Sequence, residues 1–328
     1  MSNLTIGPQY GDSLPTIWRK SLQTSRWLSW LTVGSVILFL LTIFLNIVDS
    51  RVVTGAPVWI KPMKFAISIT LYSATMIWML GYIKGRRRLV NVIAIATTVG
   101  FLVEYVAIFI QAARGVRSHF NLTTPFDATL FGLMANFVIV IWVMNVVAGY
   151  ILLRQKMDDK PFAWSLRLGL IVTAVGSGLG FLMTAGPTPT QLAALEAGEP
   201  VQFIGAHSVG VEDGGPGLPL TNWSVEGGDI RVPHFIGMHA LQIIPILGIV
   251  VNHLFKTTLS ERRRTTLVWI GGLGYLGVTL ILLWQALRGQ PVIAPDSLTL
   301  AAFGILFGTM VISTTAVFAT NQLTNQTS

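Results

Sequence analysis

Cysteine is absent from all 328 residues, which removes disulfides, thiolate metal ligands and cysteine nucleophiles at once. Charge is scarce as well. Only 11% of residues are Asp, Glu, Lys or Arg, where a soluble domain carries roughly a quarter. Histidine is confined to five positions, 119, 207, 234, 239 and 253. The phosphate-binding loop, the GxSxG nucleophile turn, HExxH and the histidine boxes of membrane desaturases are all missing. The first 25 residues, with Pro8, Pro15, Arg19 and Lys20, hold no early apolar core and no small-residue cleavage site. No cleavable signal peptide is therefore read there.

What is present is apolar. Hydrophobic residues make up 52% of the chain, more than one aqueous core can hide, and lipid is the solvent that fits. A spanning helix needs about 20 mostly apolar residues. Such runs fall at 27–48, 58–83, 89–113, 128–153, 164–186, 232–255, 265–287 and 298–320. The fold expected is all-α and polytopic, with about eight transmembrane helices.

The net charge of +8 comes from short basic runs between these stretches, with no basic face interleaved with aromatics, so nucleic acid is not an expected partner. Arg19, Lys20 and Arg26 precede the first span. Lys84 and Arg86 to Arg88, then Arg154, Lys156 and Lys160, then Lys256 and Arg262 to Arg264 occupy alternate loops. That pattern reads as a multi-pass protein of the plasma membrane with both termini cytoplasmic. The only long opposite loop, 187–231, is rich in Gly and Pro and reads as an ordered cap.

Landmarks recur at an offset near 175 residues. Gln111 to Arg114-Gly115 matches Gln285 to Arg288-Gly289, and Asp127 with Phe131-Gly132 matches Asp296 with Phe303-Gly304. The arginines at 86–88 match those at 262–264, and Met63-Lys64 matches Met238-His239. This suggests two similar four-helix halves in one orientation, with a tail at 1–26, a first half at 27–160 and a second at 161–328 that includes the 187–231 loop. The four-plus-four arrangement, with Gln-x-x-x-Gly closing spans 3 and 7, resembles haem A synthase-like membrane enzymes in architecture. Histidines in the fourth and eighth spans are absent from this chain, and no residue role is carried over.

Polar residues gather toward one end of the spans. Glu104 lies about ten residues inside the end of span 3, near mid-membrane. A carboxylate there is a functional candidate by default, with Lys64 as one potential ion-pair partner. His119, Asp127 and His239 join it as candidate acid–base groups, Asp127 also being placed to cap span 4. Lys64, Gln111, Arg114, Arg117, Arg231 and Gln242 are candidates for holding a substrate, the arginines for an anionic group. His207, His234 and His239 are candidate metal ligands. The fourteen-residue spacing of His239 and His253 suits stacked haems, but a second histidine pair is lacking. The cofactor is thus unspecified, with a metal ion or a single haem open. The glycines at 176, 178 and 180 read as close helix packing.

Three functions remain. The first is a membrane-embedded enzyme, or cofactor protein, acting from the extracytoplasmic face on a lipid or small anionic substrate. The second is a proton- or ion-coupled transporter. The third is a non-catalytic sensor or assembly factor that docks a partner through the 187–231 loop, around Trp223.

Overall fold

The computed structural model describes residues 11–326, with side chains up to residue 319. In chain order the elements are α1 (Leu14–Val48), β1 (Val52–Val53), β2 (Ala56–Pro57), α2 (Ile60–Leu80), α3 (Arg87–Arg114), α4 (Pro125–Arg154), α5 (Lys160–Gly178), α6 (Pro189–Glu196), β3 (Ser208–Val209), β4 (Gly228–Asp229), α7 (Arg231–Phe255), α8 (Glu261–Leu287) and α9 (Ser297–Gln326). A short 3-10 turn, Leu179–Thr184, follows α5. Among the described residues eight helices are long and apolar enough to cross a bilayer, and each overlaps one of the expected spans. The architecture is that of an all-α polytopic membrane protein. Ile47, Ile305 and Ile312 are each more than 70% exposed; in a helix this apolar, such faces suit lipid.

The chain divides into two units, one made of residues 1–151, 183–206 and 213–222, the other of 152–182, 207–212 and 223–328. The long loop thus contributes to both, where the sequence assigned all of it to the second half.

In the first unit α1 begins at Leu14, inside the stretch read as a polar tail. Ser25 interrupts it with extended torsions (φ −157°, ψ 109°), and its hydroxyl accepts from Leu28 N–H at 3.2 Å, so the spanning part starts with its own cap. α1 packs on α2 through small polar residues. Thr32 meets Ser73 at 2.8 Å and Ser35 meets Thr70 at 2.8 Å, the pairing expected where lipid offers no hydrophobic drive between helices. The β1–β2 hairpin joins these two helices. α3 stops at Gly115, whose left-handed φ of 72° is easy only without a Cβ. Val116 N–H then reaches back to Gln111 C=O at 3.0 Å, closing the end of the helix.

The second unit is built on α5, α7 and α8, with Leu168, Val172, Ala240, Ile244 and Val268 in its core. α5 and α7 touch backbone to backbone. A Cβ at Gly176 would lie 2.3 Å from the Gly237 carbonyl carbon, and one at Gly237 would lie 2.5 Å from the Gly176 Cα. Lower on the same helices, Gly248 leaves room for the Ser165 hydroxyl. The close packing read from the glycines of span 5 is therefore realised at Gly176.

Gly176→Ala is expected to cost about 3 kcal/mol or more, since backbone has to move to admit the methyl group. Gly132→Ala, where a Cβ meets nothing within 4 Å, should stay within about 0.5 kcal/mol of the parent protein. Melting temperatures of the two variants in detergent check the pair; equal values would contradict the crossing.

Candidate functional site

The candidate residues fall in both units. Lys64, Glu104, Gln111, Arg114, Arg117, His119 and Asp127 belong to the first, and His207, Arg231, His234, His239 and Gln242 to the second.

The first unit brings three ionisable groups into a line. Glu104, on the buried face of α3, is 2% exposed, and its Oε1 lies 3.3 Å from His119 Nε2. On the other side of the imidazole, Lys61 Nζ and Ser118 Oγ each lie 3.1 Å from Nδ1. An ammonium can only donate, so Nδ1 is the acceptor and the ring proton sits on Nε2, facing Glu104. The order Lys61, His119, Glu104 is thus a relayed ion pair with a neutral imidazole between its charges. Burial pushes the His119 pKa below its ordinary value and Lys61 adds to this, while Glu104 pulls the other way.

His119 is held there by packing and by the loop above it. Phe65 from α2, Phe120 from the loop itself and Phe131 from α4 have ring centres 6.3, 6.1 and 6.2 Å from the imidazole. The 117–122 segment pairs with 202–204: Leu122 N–H donates to Gln202 C=O at 2.8 Å, and Ile204 N–H to Phe120 C=O at 3.1 Å. Gly205 closes this roof at φ 103°, where a Cβ would lie 2.6 Å from the Met183 carbonyl oxygen. The Gln191 side-chain amide grips both backbone groups of Gly205 at 3.0 Å. Lys64 donates to Thr221 C=O at 2.8 Å. Arg117 stacks over Phe203 at 4.4 Å.

Glu104 keeps one atom in reserve. Its Oε2 is buried with no hydrogen-bond partner, and so are the hydroxyls of Thr97 and Thr98 on the same helix. Thr97, Glu104 and Gln111 repeat every seven residues, which puts them on one face of α3, and all three are buried.

Gln111 opens a separate cluster. It donates to Asp127 Oδ1 at 2.7 Å and accepts from Arg114 Nη1 at 2.5 Å, while Arg114 forms an ion pair with Asp127. The cap of α4 is Thr124, not Asp127 as the sequence suggested. Asp127 N–H donates to Thr124 Oγ1 at 3.2 Å and the Thr124 hydroxyl donates back to Asp127 Oδ2 at 2.6 Å, because Pro125 fills the first helical position and sets Asp127 in the third.

Comparison with protein-family models, with curated proteins and with solved structures finds no match for this chain. The architectural likeness to haem A synthase-like enzymes gains nothing from them.

In the second unit Asp229 is fully buried and saturated. It accepts from Ser224 N–H at 2.9 Å, from Arg231 N–H at 3.0 Å and from Arg231 Nε at 2.9 Å. His234 Nδ1 donates to Gly176 C=O at 2.8 Å. His239 Nδ1 lies 3.2 Å from Gln242 Oε1 with its ring against Phe235. The expected metal ligands His207, His234 and His239 do not form a set: among the described residues no three His, Cys, Asp or Glu side chains are grouped to hold a metal ion. At His234 the reason is plain, since its Nδ1 and the space beside Gly180 are committed to the helix crossing.

Two structural groups escaped the sequence reading. Lys61 lies one turn from Lys64 on the first turn of α2, and that i, i+3 spacing was a usable signal. The Asp49–Arg51 pair was the other. Arg51 Nε donates to Asp49 Oδ1 at 3.0 Å, Trp59 Nε1 donates to Asp49 Oδ2 at 2.7 Å, and Arg51 Nη1 reaches the Ala113 carbonyl at 2.9 Å. Hydrogen bonds from Arg51 hold the Asp49 carboxyl well below the usual range.

The depressed His119 pKa fixes a pH dependence. Protonation favours the unfolded chain, in which the imidazole titrates near 6.5. The stability contributed is complete above that pH and is lost as pH falls toward the lower folded value. The melting temperature of the parent protein should drop as pH falls below about 6.5, and that component should be missing in His119→Gln. A drop of the same size in both proteins would exclude His119 as its source.

Proposed function

We propose that the chain is a membrane-embedded acid–base enzyme acting on a lipid or a small anionic substrate, with Glu104 as the proton-handling group. The observation that carries this reading is the Glu104 carboxylate: one oxygen faces a neutral imidazole and the other is buried with no partner. Leaving a buried polar atom unmet costs about 1–3 kcal/mol, more for a charged one, and a substrate proton or hydroxyl would supply what is missing.

The relay provides the proton. Transfer of one proton from Lys61 Nζ to His119 Nδ1, and of another from Nε2 to Glu104 Oε1, leaves a neutral amine, the other imidazole tautomer and a carboxylic acid. The acid can then donate to a leaving group, and the reverse sequence removes a proton from a nucleophile. Lys64 and Arg117 supply positive charge for an anionic substrate, and the three phenylalanines hold the imidazole in place. In this reading the Gln111–Arg114–Asp127 and Asp229–Arg231 clusters are scaffolding, and His239 with Gln242 is outside the chemistry. The site faces the extracytoplasmic side of the plasma membrane, with the basic loops and both termini in the cytoplasm. The two units are repeats of one ancestral four-helix unit. Each opens a spanning helix after an Asp-x-Arg turn, and each ties an arginine at one helix end to an aspartate near the start of the next, Arg114 to Asp127 and Arg288 to Asp296.

A second reading, a proton-coupled transporter, has one observation in its favour: Thr97 continues the buried polar face of α3 below Glu104. Cysteine-accessibility scanning on the cysteine-free chain separates the two. Labelling confined to the loop end of α3 fits the enzyme, and labelling that alternates between its two ends fits transport.

For the enzyme, purified protein in nanodiscs is incubated with phospholipid and with small phosphate and carboxylate esters, and products are read by mass spectrometry. Glu104→Gln is expected to lower turnover at least about 100-fold with normal yield and melting temperature. His119→Gln should lower it less and flatten the pH profile. Parent-level turnover in Glu104→Gln would refute the assignment.

A further inference from the structure

The second unit carries a crevice of about 730 Å³ lined by Lys160, Glu261, Arg262, Thr265, Thr266 and Trp269. It lies toward the starting turns of α5 and α8, about four turns along α5 from the Gly176 crossing. Its size falls in the range of small-ligand pockets, and the catalytic reading assigns it no part.

The lining changes character along α8. At its start, beside Lys160 of α5, are two cations and one anion. Lys160 Nζ and Glu261 Oε1 lie 3.3 Å apart, at 71% and 42% exposure, so they largely cancel. That leaves Arg262, whose exposed guanidinium has no side-chain partner among the described residues, as the uncompensated charge. One turn further come the two threonines. Trp269 is eight residues from Glu261, about 12 Å down the helix, and its ring packs at a tilt on Trp164 with centres 4.6 Å apart, the Arg167 guanidinium lying 5.1 Å from the Trp164 ring. Cation, then hydroxyl, then indole is the order in which a phospholipid presents phosphate, glycerol ester and acyl chain.

We propose that this crevice is a phospholipid site, in which Arg262 and Lys160 take the phosphodiester, the threonines face the ester region and an acyl chain lies along Trp269. A guanidinium fits phosphate oxygens with paired N–H donors. The apolar wall at Trp269 gives the chain a surface that a soluble phosphate would not use.

Native mass spectrometry of the detergent-purified full chain tests this with phosphatidylglycerol, diacylglycerol and inorganic phosphate as separate probes. Phosphatidylglycerol should be retained, and the other two should not, because each lacks one half of the match. Arg262→Ala should weaken retention about fivefold. Thr266→Trp, which keeps every charge and places an indole between Arg262 and Trp269, should abolish it. Arg88→Ala removes another exposed arginine, from the other unit, and should change nothing. Equal retention in Thr266→Trp and the parent protein, equal losses in Arg262→Ala and Arg88→Ala, or diacylglycerol bound as well as phosphatidylglycerol would each overturn the site.

Discussion

A polar group inside a lipid-solvated bundle must find its partner within the protein, and this constraint shapes nearly every loop end of the chain. Asp49 is met by Arg51 and Trp59, Asp127 by Gln111, Arg114 and Thr124, Asp229 by Arg231 and the backbone of Ser224, and Asp296 by Arg288 and the Thr299 N–H. Each partner comes from the same turn or from the neighbouring helix end. Such pairs add little net stability when measured against apolar replacements, yet removing one partner is costly. Their effect is to fix where each helix starts and stops, and so how the connecting loops leave the membrane region.

The loops then do what helices cannot. His119 lies outside α3 and α4, and nothing in helical periodicity directs it back to Glu104. The direction comes from pairing between 120–122 and 202–204, from the Gln191 clamp on Gly205, and from the aromatic contact of Phe120 with Phe131. A residue fifteen positions away in sequence thereby becomes the neighbour of a mid-helix carboxylate. Packing of the same kind rules out other uses. Gly176 and Gly237 bring two backbones into contact and take His234 with them, so a side chain that looked available for a metal is committed to a carbonyl.

How much could be read beforehand follows from this division. All eight spans were legible, because apolar length is a local property and the solvent that demands it is uniform. Glu104 was legible because a carboxylate in such a run is expensive. The interruption at Ser25 was not, since a serine in a helix gives no warning that its hydroxyl will cap the next turn. Thr124 was misread in favour of Asp127 because both are good capping residues, and only the position of Pro125 decides between them. Lys61 was passed over for Lys64, three residues on, because choosing between them depends on which way α2 is rotated, and that is set by its packing on α1. The pairing of His119 with Glu104 was out of reach for the reason already given: it depends on contacts across more than eighty residues of intervening chain.

The same bookkeeping distinguishes scaffold from site. Where both oxygens of a buried carboxylate are matched, as at Asp127 and Asp229, the carboxylate is left little capacity for a ligand, and its simplest account is structural. Around Glu104 the match is incomplete. His119 has both nitrogens engaged, so it cannot act alone as a free base; it can only exchange protons along the line from Lys61. Glu104 has one oxygen engaged and one unmet, at a depth where water is a poor substitute partner. A fold that neutralises its other buried carboxylates so thoroughly has little structural reason to leave this atom bare, and a proton-transfer role gives the omission a cause. In the proposed enzyme Glu104 would carry the chemistry and His119 and Lys61 would set its protonation, while the phenylalanines and the Gly205 roof hold the imidazole in line.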